Sequence, residues 1–96
     1  MMVEILQEVR DTQAVHYFCL GTTNSRYDLT VIYSSHFYNK SMVVSIQTGR
    51  MVLMSQEDIE NEFLWREPLG IKKEDVEVVQ QFFQQILSKV EFTTQY

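Results

Sequence analysis

Three charged side chains have the types and spacing to hold an anion: Arg26, Asp28 and Arg50. Arg26 closes a polar loop over 21–26, and Asp28 lies just inside the strand that follows. Arg50 directly follows a Thr48-Gly49 turn signal. Two guanidinium groups brought together can clasp a phosphate or carboxylate through charge-assisted hydrogen bonds. With Asp28 beside them, the same residues can instead form a surface ion pair with no ligand, and this is the expected outcome.

Other chemistry is sparse. His16 and His36 are the only histidines, and Cys19 is the only cysteine. A metal centre needs three or four ligands, and no Cys/His pair here shows ligand spacing. No metal or cofactor is expected. Cys19 lies between Phe18 and Leu20, which predicts a buried, structural thiol rather than a nucleophile. Eight carboxylates crowd between Glu57 and Glu77. Carboxylates do acid–base work only in a cleft that separates their pKa values, and these follow the polar sides of two predicted helices. No phosphate-binding glycine loop or Gly-x-Ser-x-Gly elbow is present. The expectation is a non-enzymatic protein.

The net charge is −5 and unevenly spread. Residues 1–50 hold four acidic and four basic side chains, whereas residues 51–96 hold nine and four. The second half repels a phosphate backbone, so general nucleic-acid binding is disfavoured. Tyr17, Phe18, Tyr27, Tyr33, Phe37 and Tyr38 gather in the first half. They would suit base stacking, but the chain lacks the glycine–aromatic pattern of RNA-binding sheets, and core packing is expected instead. A lone cysteine fits a reducing compartment. Residues 1–9 carry Glu4 and Glu8 without a basic start, and no apolar run approaches the roughly 20 residues of a membrane span. A cytoplasmic protein with no membrane association is expected.

The elements that must position these residues are legible as a single domain of 96 residues. Apolar and β-branched runs predict strands at 14–20, 27–33, 42–46 and 51–54, the last two joined as a hairpin. Short loops favour consecutive antiparallel pairing. Ser55-Gln-Glu-Asp58 reads as a capping box that opens a short helix carrying Ile59 and Phe63. Val76, Val79, Phe83, Ile86 and Val90 recur at helical spacing, predicting a longer helix from about Lys73 to Val90. The predicted fold is α+β: a four-stranded antiparallel β-meander packed against a C-terminal amphipathic helix, with a short helix before it. Residues 2–9 read as helix or irregular chain.

Matching apolar faces pairs Leu29 with Val44, Val31 with Met42, Ile46 with Met51 and Val44 with Leu53. That register puts Tyr27, Leu29 and Val31 under the long helix together with Met42, Val44, Ile46, Met51 and Leu53. It gives Ile32, Val43, Val52 and Met54 to the opposite face. There they form an apolar strip, either covered by the N-terminal segment or by the 63–65 stretch, or left as an interface with a second chain. The same meander gathers Arg26, Asp28 and Arg50 at one end of the sheet.

Arg26-Tyr-Asp-Leu29, Phe37-Tyr-Asn-Lys40, Gln47-Thr-Gly-Arg50 and the acidic helix start after Ser55 resemble a small uncharacterised cytosolic family of Bacillus- and Staphylococcus-type bacteria. The similarity extends over most of the chain. It departs from the pattern between Phe63 and Gly70, which leaves the joining of the two helices open. The resemblance implies a bacterial cytoplasmic protein with no assigned activity, and it supplies no catalytic residues. The expected function is a small protein-interaction or regulatory module whose partner is another protein or a second copy. The alternative is weak binding of nucleic acid or an anionic ligand at the Arg26/Arg50 end.

Overall fold

The computed structural model describes residues 3–10, 12–34, 37 and 39–87. Four strands, β1 (Ala14–Gly21), β2 (Arg26–Tyr33), β3 (Ser41–Ser45) and β4 (Met51–Met54), pair antiparallel in chain order. A 3-10 turn over Gln56–Asp58 and a short helix α1 (Glu62–Trp65) follow. A second 3-10 turn over Lys73–Asp75 leads into helix α2 (Val76–Ile86). This is the α+β meander-and-helix architecture that the sequence predicts, with strand ends within one residue.

Helix α2 forms where the apolar stripe demanded it. Val76, Val79 and Phe83 are buried along one side, and Leu87 continues the stripe just beyond. They pack with Tyr27, Leu29 and Val31 of β2. Val90, the last residue of the predicted stripe, lies outside the described residues. Residues 3–10 form no regular element, and Val3, Ile5 and Leu6 are largely exposed.

The capping residues act as read from the sequence. The Ser55 backbone N–H and hydroxyl both donate to the Asp58 carboxylate, at 2.9 and 3.1 Å. They open a single 3-10 turn rather than a helix. Ile59 is buried as expected, but Phe63 is 85% exposed and Trp65 takes the core position instead. Asn61 intervenes between the turn and α1, which resets the helical phase.

The hairpin register differs from the sequence reading. Leu29 pairs with Ser45 and Val31 with Val43, and across the hairpin Val43 pairs with Val52. Relative to β2 this is a one-residue slip, which inverts every side chain of β3 and β4. Val43, Val52 and Met54 therefore belong to the core, not to a second face. Met51 and Leu53, predicted to be core, are exposed. The physical reason is local. Ser41 and Ser45 point inward and are buried. The Ser45 hydroxyl accepts the Thr48 backbone N–H at 3.1 Å, and the Ser45 carbonyl accepts that of Gly49 at 2.9 Å. A hydrogen-bonded serine is inexpensive to bury, so turn chemistry overrides the apolar pattern.

The turn is also gripped from outside. Thr48 Oγ1 donates to the Pro68 carbonyl at 2.7 Å. Gly70 stands beside it with φ +70°, and a Cβ there would lie 2.8 Å from Thr48 Cγ2. Both the left-handed backbone and the close approach call for glycine.

A buried polar pair ties β2 to the start of α2. The Tyr27 hydroxyl donates to Asp75 Oδ2 at 2.6 Å and accepts the Lys72 N–H at 3.1 Å. Tyr27 and Asp75 are both buried. The hydroxyl holds the Asp75 carboxyl below its usual range, with the side chains of Thr22 and Asn24 and the Lys72 charge acting the same way against the opposing effect of burial. A depressed folded pKa contributes stability that is present above the unfolded value near about 4 and is lost as pH falls through the folded value. Tyr27→Phe should lower stability at pH 7 by about 2 kcal/mol. It should also shrink the stability difference between about pH 5 and pH 3. Urea titrations of both proteins at these pH values check it. Some acid sensitivity should persist, because Asp28 and Asp58 are shifted in the same direction.

Candidate functional site

At the loop end of the sheet, β2 presents Arg26 and Asp28 on the face away from α2, with Cys19 of β1 opposite Asp28. Arg26 Nε and Nη2 both donate to Asp28 Oδ1 at 3.3 Å. Gln47 closes the group from the hairpin turn. Its Nε2 donates to Asp28 Oδ2 at 2.8 Å, and its Oε1 accepts the Asp28 N–H at 3.1 Å. The Cys19 thiol, then the Gln47 amide and Arg26, keep the Asp28 carboxyl below its usual range against partial burial. Asp28 in turn raises the pKa of Arg26.

Sequence reasoning placed Arg26, Asp28 and Arg50 together. The structure joins Arg26 to Asp28, and the third member is Gln47. The Arg50 side chain makes no hydrogen bond or ion pair among the described residues. Its backbone closes the hairpin, with its N–H on Thr48 Oγ1 at 3.1 Å and its carbonyl accepting Ser45 N–H at 2.9 Å. Asp28 engages Arg26 through Nε and Nη2, so this end of the sheet reads as an exposed ion pair with an amide brace. Gln47 becomes legible only once the hairpin is folded, when its amide side chain, just before the Thr-Gly turn, reaches back to β2.

The face away from α2 is organised differently from the sequence expectation. Val15, Ile32, Met42 and Leu53 pair in succession, making a straight apolar row across all four strands. Tyr17, Thr30, Val44 and Met51 make a second row beside it. Tyr17 is 78% exposed and Met51 55%, with Leu53 and Val15 near 40%. Of the expected interface strip, Ile32 alone lies here; Val43, Val52 and Met54 are in the core on the other side. Neither the N-terminal segment nor Phe63 is buried as a cover for this face would be. Once the register is right, the row is visible in the sequence as the alternate residues Met42, Val44, Met51 and Leu53.

Cys19 is exposed, not buried as its apolar neighbours suggested, because it shares the outward phase of Val15 and Tyr17. His16 points to the helix side, with its ring 5.2 Å from Tyr33 and 6.1 Å from Phe18. His36 lies outside the described residues. Among the described residues, no three His, Cys, Asp or Glu side chains are grouped to hold a metal ion. The aromatic side chains of the sheet mostly serve the core side, where Tyr27 is buried and Phe18 packs on Phe82, with Tyr17 the exception. None of the described helices is long and apolar enough to cross a membrane.

These features define a small α+β protein: one antiparallel meander with a helix on one face and, on the other, a largely apolar surface most exposed at the outer strands. The model of the SAV0927-like family matches residues 6–85, and the chain belongs to that family. It is a family of unknown function named after a Staphylococcus aureus protein. A search of curated proteins finds no match.

Proposed function

We propose that this protein is a non-enzymatic interaction or regulatory module of the bacterial cytoplasm, and that it binds a partner protein on the open face of its sheet. The two apolar rows carry this reading. Isolated exposed apolar residues are ordinary, but contiguous ones rimmed by polar groups characterise protein contact surfaces. Here the rows cross every strand and end at the polar Cys19–Asp28 pair. Tyr and Met, which supply Tyr17, Met42 and Met51, are residue types enriched at such surfaces.

Affinity capture from the native cell tests the reading. Wild type should retain a protein that Leu53→Glu loses and that Arg26→Ala/Arg50→Ala keeps. Equal capture by wild type and Leu53→Glu overturns it. The anionic-ligand alternative relies on Arg26 and Arg50, and the Arg26–Asp28 pair weighs against it. Binding of a single-stranded oligonucleotide at low salt that weakens as salt rises would favour that alternative instead.

A further inference from the structure

Strand β1 is the outer strand of the sheet, and among the described residues only β2 pairs with it. Its outer edge therefore offers backbone N–H and C=O groups along eight residues. Edge strands in proteins that stay apart carry charge, proline or a bulge, or are very short. The other edge, β4, has four residues. β1 has none of these safeguards. Ala14-Val-His-Tyr-Phe-Cys-Leu-Gly21 contains no charged residue and no proline, and its pairing with β2 runs unbroken from Ala14 to Gly21.

A second observation comes from the core. On the helix side it reaches β1 and stops unfinished. Phe18, Leu20 and Phe82 pack against the core yet are only partly buried. The Phe18 ring stands edge-on to Phe82 at 5.0 Å and is itself only half-buried. Whatever pairs with this edge must present an apolar side chain on the helix side and no charge along its length.

We propose that β1 pairs antiparallel with β1 of a second copy, about a twofold axis perpendicular to the sheet at Tyr17. Such an axis keeps each face continuous, so both copies hold α2 on the same side. On that side His16 meets Phe18 and Ala14 meets Leu20, each pair setting a smaller side chain against a larger one. An axis at Phe18 would instead set two Phe18 rings directly opposite, each already engaged with its own Phe82. On the open side Tyr17 meets its own copy and Val15 meets Cys19. A chain of net charge −5 repels its copy in general, and the uncharged β1 is where two copies approach without opposing like charges. The contact strip is about 27 Å long and about 10 Å deep, well below the roughly 800 Å² per partner of a standard interface. The dimer is accordingly weak and concentration-dependent. It uses the backbone edge of β1, touching the open-face rows only at their β1 ends, Val15 and Tyr17, and does not rest on the reading above.

Sedimentation equilibrium across a concentration series up to the millimolar range tests it. Wild type should rise from the 11.4 kDa chain mass toward twice that value. Tyr17→Lys, at a side chain exposed in the single copy, should remain at the chain mass with unchanged circular dichroism. In a Cys19→Ser background, Tyr17→Cys should form an oxidised cross-linked dimer, because directly opposed strand residues fall within disulfide reach. Val15→Cys should not, being several residues from its own copy. Wild type at the chain mass throughout overturns the proposal. So does a dimer that survives Tyr17→Lys, or one that Leu53→Glu breaks, with or without an effect of Tyr17→Lys, which would assign association to the open face.

Discussion

Val43→Lys should leave the protein largely unfolded at 25 °C, whereas Leu53→Lys on the neighbouring strand should cost no more than about 1 kcal/mol. Val43 is fully buried in the row His16, Val31, Val43, Val52. Replacing it loses roughly 1.5–3 kcal/mol of apolar burial. It also puts an ammonium group, with no described partner, where water does not reach, at several kcal/mol more. The total rivals the about 5–15 kcal/mol stability of an ordinary domain. Leu53 is 42% exposed on the open face, where a lysine stem can lie along the sheet. Near-ultraviolet circular dichroism and Trp65 fluorescence report both variants. The opposite ranking, with Val43→Lys folded and Leu53→Lys unfolded, would restore the register in which Val44 pairs with Leu29.

Trp65→Ala should lower stability by about 3–5 kcal/mol, the range for deleting a large aromatic from a close-packed core. The side chain is fully buried, and its ring meets Phe83 edge-on at 5.1 Å. Its Nε1–H donates to the Ile59 carbonyl at 3.0 Å, which also accepts Gln80 Nε2 at 3.2 Å. One residue thus links the 3-10 turn, α1 and α2. Urea unfolding followed by far-ultraviolet circular dichroism is the measurement, since the variant has no tryptophan left. Trp65→Phe keeps most of the volume and leaves the Ile59 carbonyl its bond to Gln80, so it should cost about 1–2 kcal/mol. A loss below about 1 kcal/mol for Trp65→Ala would mean that the ring is not the anchor of this connector.

What the sequence made legible follows from which signals are redundant. The strands, their order and α2 were each marked twice, by apolar pattern and by turn or charge signals at their ends. Register had a single signal, the matching of apolar faces, and it misled because Ser41 and Ser45 are the inward residues of β3. Pattern reading treats serine as solvent-facing, and it cannot see a hydroxyl satisfied by the next turn. The same slip carried Val43, Val52 and Met54 to the wrong side and hid the rows on the open face. Trp65 was missed for a related reason: the break at Asn61 shifts the helical phase, so Phe63 faces out. At the charged end, an ion pair of Asp28 with an arginine was readable from the loops that share one end of the meander, while Gln47 required knowing how the hairpin folds back.

The chain-order meander has a consequence for synthesis. Each strand pairs with the one just made, so the sheet can assemble hairpin by hairpin as the chain leaves the ribosome. Its inner wall of Leu29, Val31, Val43 and Met54 then waits for Val79 and Phe83, which are made only after all four strands. For much of its birth the nascent chain is a sheet bare on both sides and unpaired along β1. A ribosome stalled before α2 would leave it without its lid, exposed to whatever greasy surface or chaperone it met first.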